Sequence, residues 1–143
     1  PAAKEDTLLI LTADHGQIST PANPDFHLIN FPDLTDMLHI MPTGENRLAY
    51  LHVRPGDIQN TKDRIEEHWP DQFHCYPSED LSKAGLFGPG PYHPRWLSRV
   101  GDLTLIAKND AYLWWSRDEN DMMGRHGGLS NQEMTVPFLT LPL

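Results

Sequence analysis

Three side chains in this sequence have the types that bind metal ions, and each sits where a strand end or a glycine turn would present it. Asp14 and His15 follow the apolar run LLILTA and precede Gly16. His126 lies within GRHGG, with Gly124, Gly127 and Gly128 around it. A carboxylate and an imidazole are good ligands for zinc or manganese. Neighbours in a regular strand point to opposite faces. At a strand end followed by glycine, however, the backbone can turn and bring both to one ion. Taken singly, Asp14 also reads as a turn cap with His15 packed beside it, and the His126 loop as a flexible surface loop.

The elements that must position these residues follow from the hydrophobic pattern. Thr7–Ala13 is near-continuously apolar and predicts a buried strand. Pro21, Pro24 and Pro32 make residues 19–33 mostly loop. Leu34, Met37, Leu38 and Met41 recur at helical spacing, which predicts a short helix over 33–40, stopped by Pro42-Thr43-Gly44. RLAYLHVR, residues 47–54, alternates as a strand. Asp57 is placed to cap a helix reaching Trp69, with Ile58, Ile65 and Trp69 inward. Residues 73–76 read as a short strand, and Ser78 as the cap of a helix over 79–84 closed by Gly85. DLTLIAK (102–108) and AYLWW (111–115) read as two strands joined by an Asn109-Asp110 hairpin turn. Residues 116–130 form a polar, glycine-rich loop before a last apolar strand in VPFLTLPL. Strands alternating with helices predict an α/β layer, and ligand sites in such sheets lie beyond the carboxyl ends of strands.

Composition narrows the function classes. The chain has 143 residues, 38% hydrophobic and 22% charged, with a formal net charge of −9. That is enough for one domain with a core. The acidic balance argues against a nucleic-acid polymer as partner. The longest aliphatic run, Leu8–Leu11, is too short to cross a bilayer. Cys75 is the only cysteine, so no intrachain disulfide forms; this favours a reducing, cytoplasmic compartment without fixing it. No signal peptide is visible, and the start at Pro1 reads as that of a fragment or processed product.

The phrases TADHGQ, RVGDLTLIA and GRHGGLSNQEMTVPF together resemble the alkaline phosphatase superfamily, and within it the type I phosphodiesterase/nucleotide pyrophosphatase family. The resemblance runs along the whole chain but covers only the C-terminal portion of a family catalytic domain. It implies an α/β, alkaline-phosphatase-like fold, present in part: the C-terminal part of the central sheet plus a smaller α+β portion. Residues 1–143 would then be a single partial domain, with a metal-binding strand and loop over 1–30. A peripheral portion would span 31–115, and the His-Gly-Gly loop with the final strand 116–143.

The resemblance further implies two divalent ions, zinc or alternatively manganese, and a small phosphate-ester or nucleotide substrate. Asp14 and His15 would bind the ion that activates the nucleophile, and His126 the other. The reaction it implies passes through a phospho-enzyme formed on a Thr or Ser and hydrolysed afterwards. That nucleophile, its Asp partner and the D-x-x-x-H ligand pair have no counterpart here: no Asp has a His four residues later. No catalytic residue is therefore assigned within the chain, which alone is expected to be inactive and to bind metal weakly. The exposed remainder of the main sheet would promote self-association.

Phosphoglycerate mutases and phosphopentomutases also carry T-A-D-H-G, but with H-T rather than H-G-G downstream. A phosphomutase of the same superfamily and a non-catalytic interaction domain are the alternatives. CYPSE, residues 75–79, approaches the sulfatase C-x-P-S-R but ends in Glu79 and follows the Asp-His element, so Cys75 reads as a small buried residue. Asp25/His27, Asp36/His39 and Asp71/His74 read as solvated pairs, and His93 carries no assigned role. Trp114-Trp115 could stack a base but reads more simply as a pair divided between core and surface.

Overall fold

The computed structural model describes residues 6–118 and 121–143; Glu119 and Asn120 of the predicted 116–130 loop, and residues 1–5 of the first segment, lie outside the described residues. The element that leads into the Asp14-His15 corner is β1 (Leu8–Thr12), followed after the corner by β2 (Ile18–Ser19). Two single 3-10 turns, Pro24–Phe26 and Leu28–Asn30, and α1 (Pro32–Thr35) lead to β3 (Leu38–Glu45) and β4 (Leu48–Val53). Then come α2 (Ile58–His68), β5 (Phe73–Pro77), α3 (Ser78–Lys83), α4 (Leu97–Val100) and β6 (Leu103–Ala107). The chain closes with β7 (Gly124–Arg125), α5 (Asn131–Met134) and β8 (Phe138–Pro142).

The core forms on a four-stranded antiparallel sheet in the order β3-β4-β6-β5. Strand β6 is buried along its whole length, as expected of an interior strand written LTLIA. Ala49, Leu51 and Val53 are the buried alternate residues of β4. They pack with Leu103, Leu105, Ile65, Trp69, Phe73, Leu34 and Leu113 in one cluster. Trp69 satisfies its indole N–H on the carbonyl of Asp25, at 2.6 Å, so a large aromatic is buried without an orphan donor.

Four local readings are corrected. Residues 38–45 are a strand, not a helix: Leu38 pairs with Val53 and Glu45 with Leu48. An apolar spacing spread over only eight residues fits either element, and here pairing with β4 decides it. Pro42 is accommodated because β3 is an edge strand with irregular register between Ile40 and Thr43. Residues 111–115 do not form a hairpin with β6. Instead Leu113 N–H bonds the carbonyl of Asn46 at 2.8 Å, and Trp114 N–H that of Phe26 at 2.9 Å. At the turn Asn109 has φ of +46° while Asp110 does not have positive φ, so the type I′ geometry a two-residue hairpin needs is absent. Asp57 stands before α2 without a side-chain cap bond, and Ile58 is exposed. Thr61 takes the inward place instead and donates its hydroxyl to the Asp57 carbonyl at 2.8 Å. Ser78 begins α3 rather than capping it, and its hydroxyl is buried against the carbonyl of Val100 at 2.8 Å.

The strand predicted over 7–13 pairs in antiparallel register with the last strand, Leu8 opposite Pro142 and Thr12 opposite Phe138. It is not buried: Leu8, Leu9, Ile10 and Leu11 are each more than half exposed, as are Phe138, Leu139 and Leu141. Both faces of this two-stranded ribbon are apolar, and none of the described residues covers them. Among the described residues no helix is long and apolar enough to cross a membrane.

Candidate functional site

The corner after β1 and the glycine loop before α5 converge because of a very short ladder. Strands β2 and β7 pair antiparallel, Ile18 opposite Arg125 and Ser19 opposite Gly124. Continuing that register carries the chain past Gln17 and His126 to His15. The two imidazoles stack, with ring centroids 3.6 Å apart and planes inclined by 15°. His15 and His126, more than a hundred residues apart in sequence, are therefore in contact, with Asp14 beside His15.

The local geometry of the Asp-His pair suits a single ion. His15 Nδ1 lies 2.7 Å from the carbonyl oxygen of Gly16. A carbonyl only accepts, so Nδ1 is the donor here, and Nε2 is the nitrogen left to face an ion. That Nε2 lies 3.6 Å from Asp14 Oδ2. Two donors of one tetrahedral zinc ion stand about 3.4 Å apart. The Asp14 side chain is 87% exposed and that of His15 38%, so both are reachable. Among the described residues no group of three His, Cys, Asp or Glu side chains forms a metal cluster; the Asp14-His15 pair has the stacked His126 ring beside it.

Glycines permit the close approach. Gly16 donates its N–H to the carbonyl of Glu133 at 2.7 Å. A Cβ on Gly16 would stand 1.8 Å from the carbonyl oxygen of Gln132, well inside contact distance. Gly127 has φ of +98°, and a Cβ there would meet the Glu45 side chain at 2.6 Å, which explains the glycine after His126. Gly16→Ala is therefore expected to destabilise the protein by about 1–3 kcal/mol and to separate the corner from α5. Urea titration of the variant beside the wild type measures it; an unchanged midpoint refutes the packing argument.

Beneath the corner lies a buried ion pair that the sequence reading did not single out. Arg47 and Glu133 side chains are each 1% exposed. Arg47 Nε donates to Oε1 and Nη2 to Oε2, both at 2.9 Å. Arg47 Nη1 donates to the carbonyls of Asn109, at 3.0 Å, and Ala111. Glu133 also accepts from Gly128 N–H at 2.8 Å and Ser130 Oγ at 2.6 Å. Ser130 and Glu133 form a reciprocal capping box at the start of α5. That part had a sequence signal, S-x-x-E. Arg47 had none, since nothing local marks an arginine whose partner lies 86 positions away. Arg125 was also missed. It is buried, donates to Thr20 Oγ1 at 2.7 Å and lies 3.7 Å over the Tyr112 ring, holding the residue before His126 against the core.

Burial pushes the Glu133 carboxyl up, but hydrogen bonds from Arg47, Ser130 and Gly128 outweigh it and hold the group down to about 2. A carboxylate depressed on folding contributes stability above its unfolded value, near 4.3, and that contribution vanishes as pH falls towards the folded one. Acid titration of stability is expected to show a loss of roughly 3 kcal/mol from this group between about pH 4.5 and 2. A Glu133→Gln variant should flatten that limb; the same slope in both proteins contradicts the assignment.

The remaining candidates stay apart from the corner. Asp71 pairs with Lys108, and its carboxyl is lowered by that ion pair. His74 stacks on Tyr76. His93 Nδ1 accepts from Arg95 N–H at 3.1 Å. Cys75 is half-buried, and burial raises its thiol to about 11, which leaves it inert. Trp114 and Trp115 pack partly buried against the core.

A mixed α/β chain carrying an Asp-His corner and a His-Gly-Gly loop at one sheet rim has the architecture of part of an alkaline-phosphatase-like domain. The family model for type I phosphodiesterase/nucleotide pyrophosphatase matches residues 2–129, and the chain belongs to that family. Family members are metallo-enzymes and hydrolases. Among solved structures, murine ectonucleotide pyrophosphatase/phosphodiesterase 5 superposes with a TM-score of 0.65 at 17% identity, covering 95% of this chain and 34% of that one. The human counterpart gives 0.62 at 17% identity, with 93% and 33% covered. Phosphonoacetate hydrolase from Sinorhizobium meliloti 1021, in complex with phosphonoformate, gives 0.61 at 18% identity, with 94% and 36% covered. These likenesses establish the fold. The chain spans about a third of the length of each of these proteins. A search of curated protein sequences returned no match.

Proposed function

We propose that this chain is the C-terminal part of the catalytic domain of a two-metal phosphodiesterase/nucleotide pyrophosphatase. Asp14 and His15 hold one divalent ion and His126 the other, with the remaining ligands and the nucleophile supplied from sequence upstream. The observation that carries this reading is the Asp14 Oδ2 to His15 Nε2 separation of 3.6 Å beside an imidazole stacked at 3.6 Å. When bound, the ions supply charge that stabilises the phosphoryl oxygens and acidifies the nucleophile hydroxyl. The chain's own residues orient the donors: Gly16 fixes the His15 tautomer, and the β2–β7 ladder sets the distance to His126. The apolar β1/β8 ribbon is where the rest of the domain packs; without it, the exposed ribbon drives self-association of the isolated chain.

The test is hydrolysis of bis(p-nitrophenyl) phosphate, a dinucleotide pyrophosphate and phosphonoacetate by the full-length protein. It is run after metal stripping and after return of zinc or manganese. Metal-dependent cleavage of the first two is expected. Equal activity in stripped and reloaded protein refutes the reading, and cleavage of phosphonoacetate alone moves it to phosphonate hydrolysis.

A further inference from the structure

We propose that Glu133 is a positioning residue that sets where His126 stands relative to His15; the inference rests on the metal-site reading above. One residue grips both loops. Its main-chain oxygen takes the N–H of Gly16, next to His15, at 2.7 Å. Its carboxylate takes the N–H of Gly128, two residues after His126, at 2.8 Å. The Arg47 fork, two bonds of 2.9 Å from a guanidinium rooted in the β3–β4 turn, fixes the carboxylate plane. The separation of the imidazoles is thus referred to the rigid four-stranded sheet, although neither histidine belongs to it.

The chemistry needs a carboxylate at this position. The carboxylate takes five donors: Arg47 Nε and Gly128 N on Oε1, and Arg47 Nη2, Ser130 Oγ and, at 3.4 Å, Ser130 N on Oε2. A glutamine offers one acceptor oxygen and points its NH2 at the donors on the other side. In either orientation that NH2 faces one N–H of Arg47, so the fork that fixes the carboxylate plane loses an arm, and with the NH2 on the Oε1 side the Gly128 N–H of the His126 loop is released as well. Groups that orient ligands typically affect metal affinity by about 10–100-fold.

The experiment uses the full-length protein with Glu133→Gln and Arg47→Lys, and Asp33→Asn as a remote control. Zinc affinity is measured by competition with a chromophoric chelator, together with kcat and KM and a thermal melt. The expected result is a folded Glu133→Gln protein whose zinc affinity falls about 10–100-fold and whose kcat falls while KM holds, with Arg47→Lys shifted less in the same direction. If Glu133→Gln does not fold, Arg47→Lys decides. Folded variants that bind zinc as tightly as wild type overturn the positioning role and leave the metal site standing. A wild type that binds no divalent ion overturns both.

Discussion

Replacing Asp14 or His126 with alanine in the full-length protein is expected to lower phosphate-ester hydrolysis by at least about 1,000-fold, equivalent to about 4 kcal/mol of transition-state stabilisation. The size follows from what each side chain does at the rim. Asp14 brings a carboxylate beside Nε2 of His15, 3.6 Å away. Without it an ion at that corner keeps one neutral ligand from this chain and loses the electrostatic half of its chelate. In the proposed site His126 is the donor for the second ion, and the stacked ring of His15 cannot rotate to replace it while its Nδ1 stays on the Gly16 carbonyl. Both losses act mainly on kcat, because the charge that each ion supplies matters most where charge develops at phosphorus. The Asp14 variant should not unfold the protein, since its side chain is 87% exposed and its hydrogen bond among the described residues is to the adjacent His15 N–H. Steady-state kinetics with circular dichroism on the same samples settles it: full activity in both variants discards the site assignment.

Arg47→Ala is expected to cost about 3–5 kcal/mol of folding stability, a large share of the roughly 5–15 kcal/mol available to a domain. The guanidinium is buried and every bond it makes ends on a buried or part-buried oxygen. Truncation leaves the Glu133 carboxylate without its counter-charge and strips the Asn109 and Ala111 carbonyls of their donor. An isosteric double replacement, Arg47→Met with Glu133→Leu, should recover part of that loss, because the cost of a broken buried pair is mostly the charge left behind. Recovery is incomplete because Gly128 N–H and Ser130 Oγ then lose their acceptor. A urea double-mutant cycle reads the coupling directly; additive single-variant effects contradict it.

These two predictions mark two layers of what the chain encodes. The residues at the rim were legible from short stretches: an apolar strand ending in Asp-His-Gly, and a histidine between glycines. Strand β4, helix α2 and strand β6 were legible for the same reason, since alternation, helical spacing and a continuous apolar run are local. The reading failed where partners decided. The helical spacing of Leu34, Met37, Leu38 and Met41 holds only as far as α1, and from Leu38 the chain pairs with β4. Residues 111–115 look like a strand, yet spend their backbone bonds on Asn46 and Phe26.

What the sequence by itself determined is therefore the inventory: the three candidate ligands, the family they point to, and the elements whose periodicity fits inside a dozen residues. Tertiary structure alone decided that His15 meets His126, through a ladder only two residues long. It also decided that Arg47 and Glu133 hold the two loops together from below. The physical reason is range: backbone propensity and hydrophobic period act between neighbours in sequence. A buried charge finds its partner through desolvation, which acts only once distant segments have already closed around it.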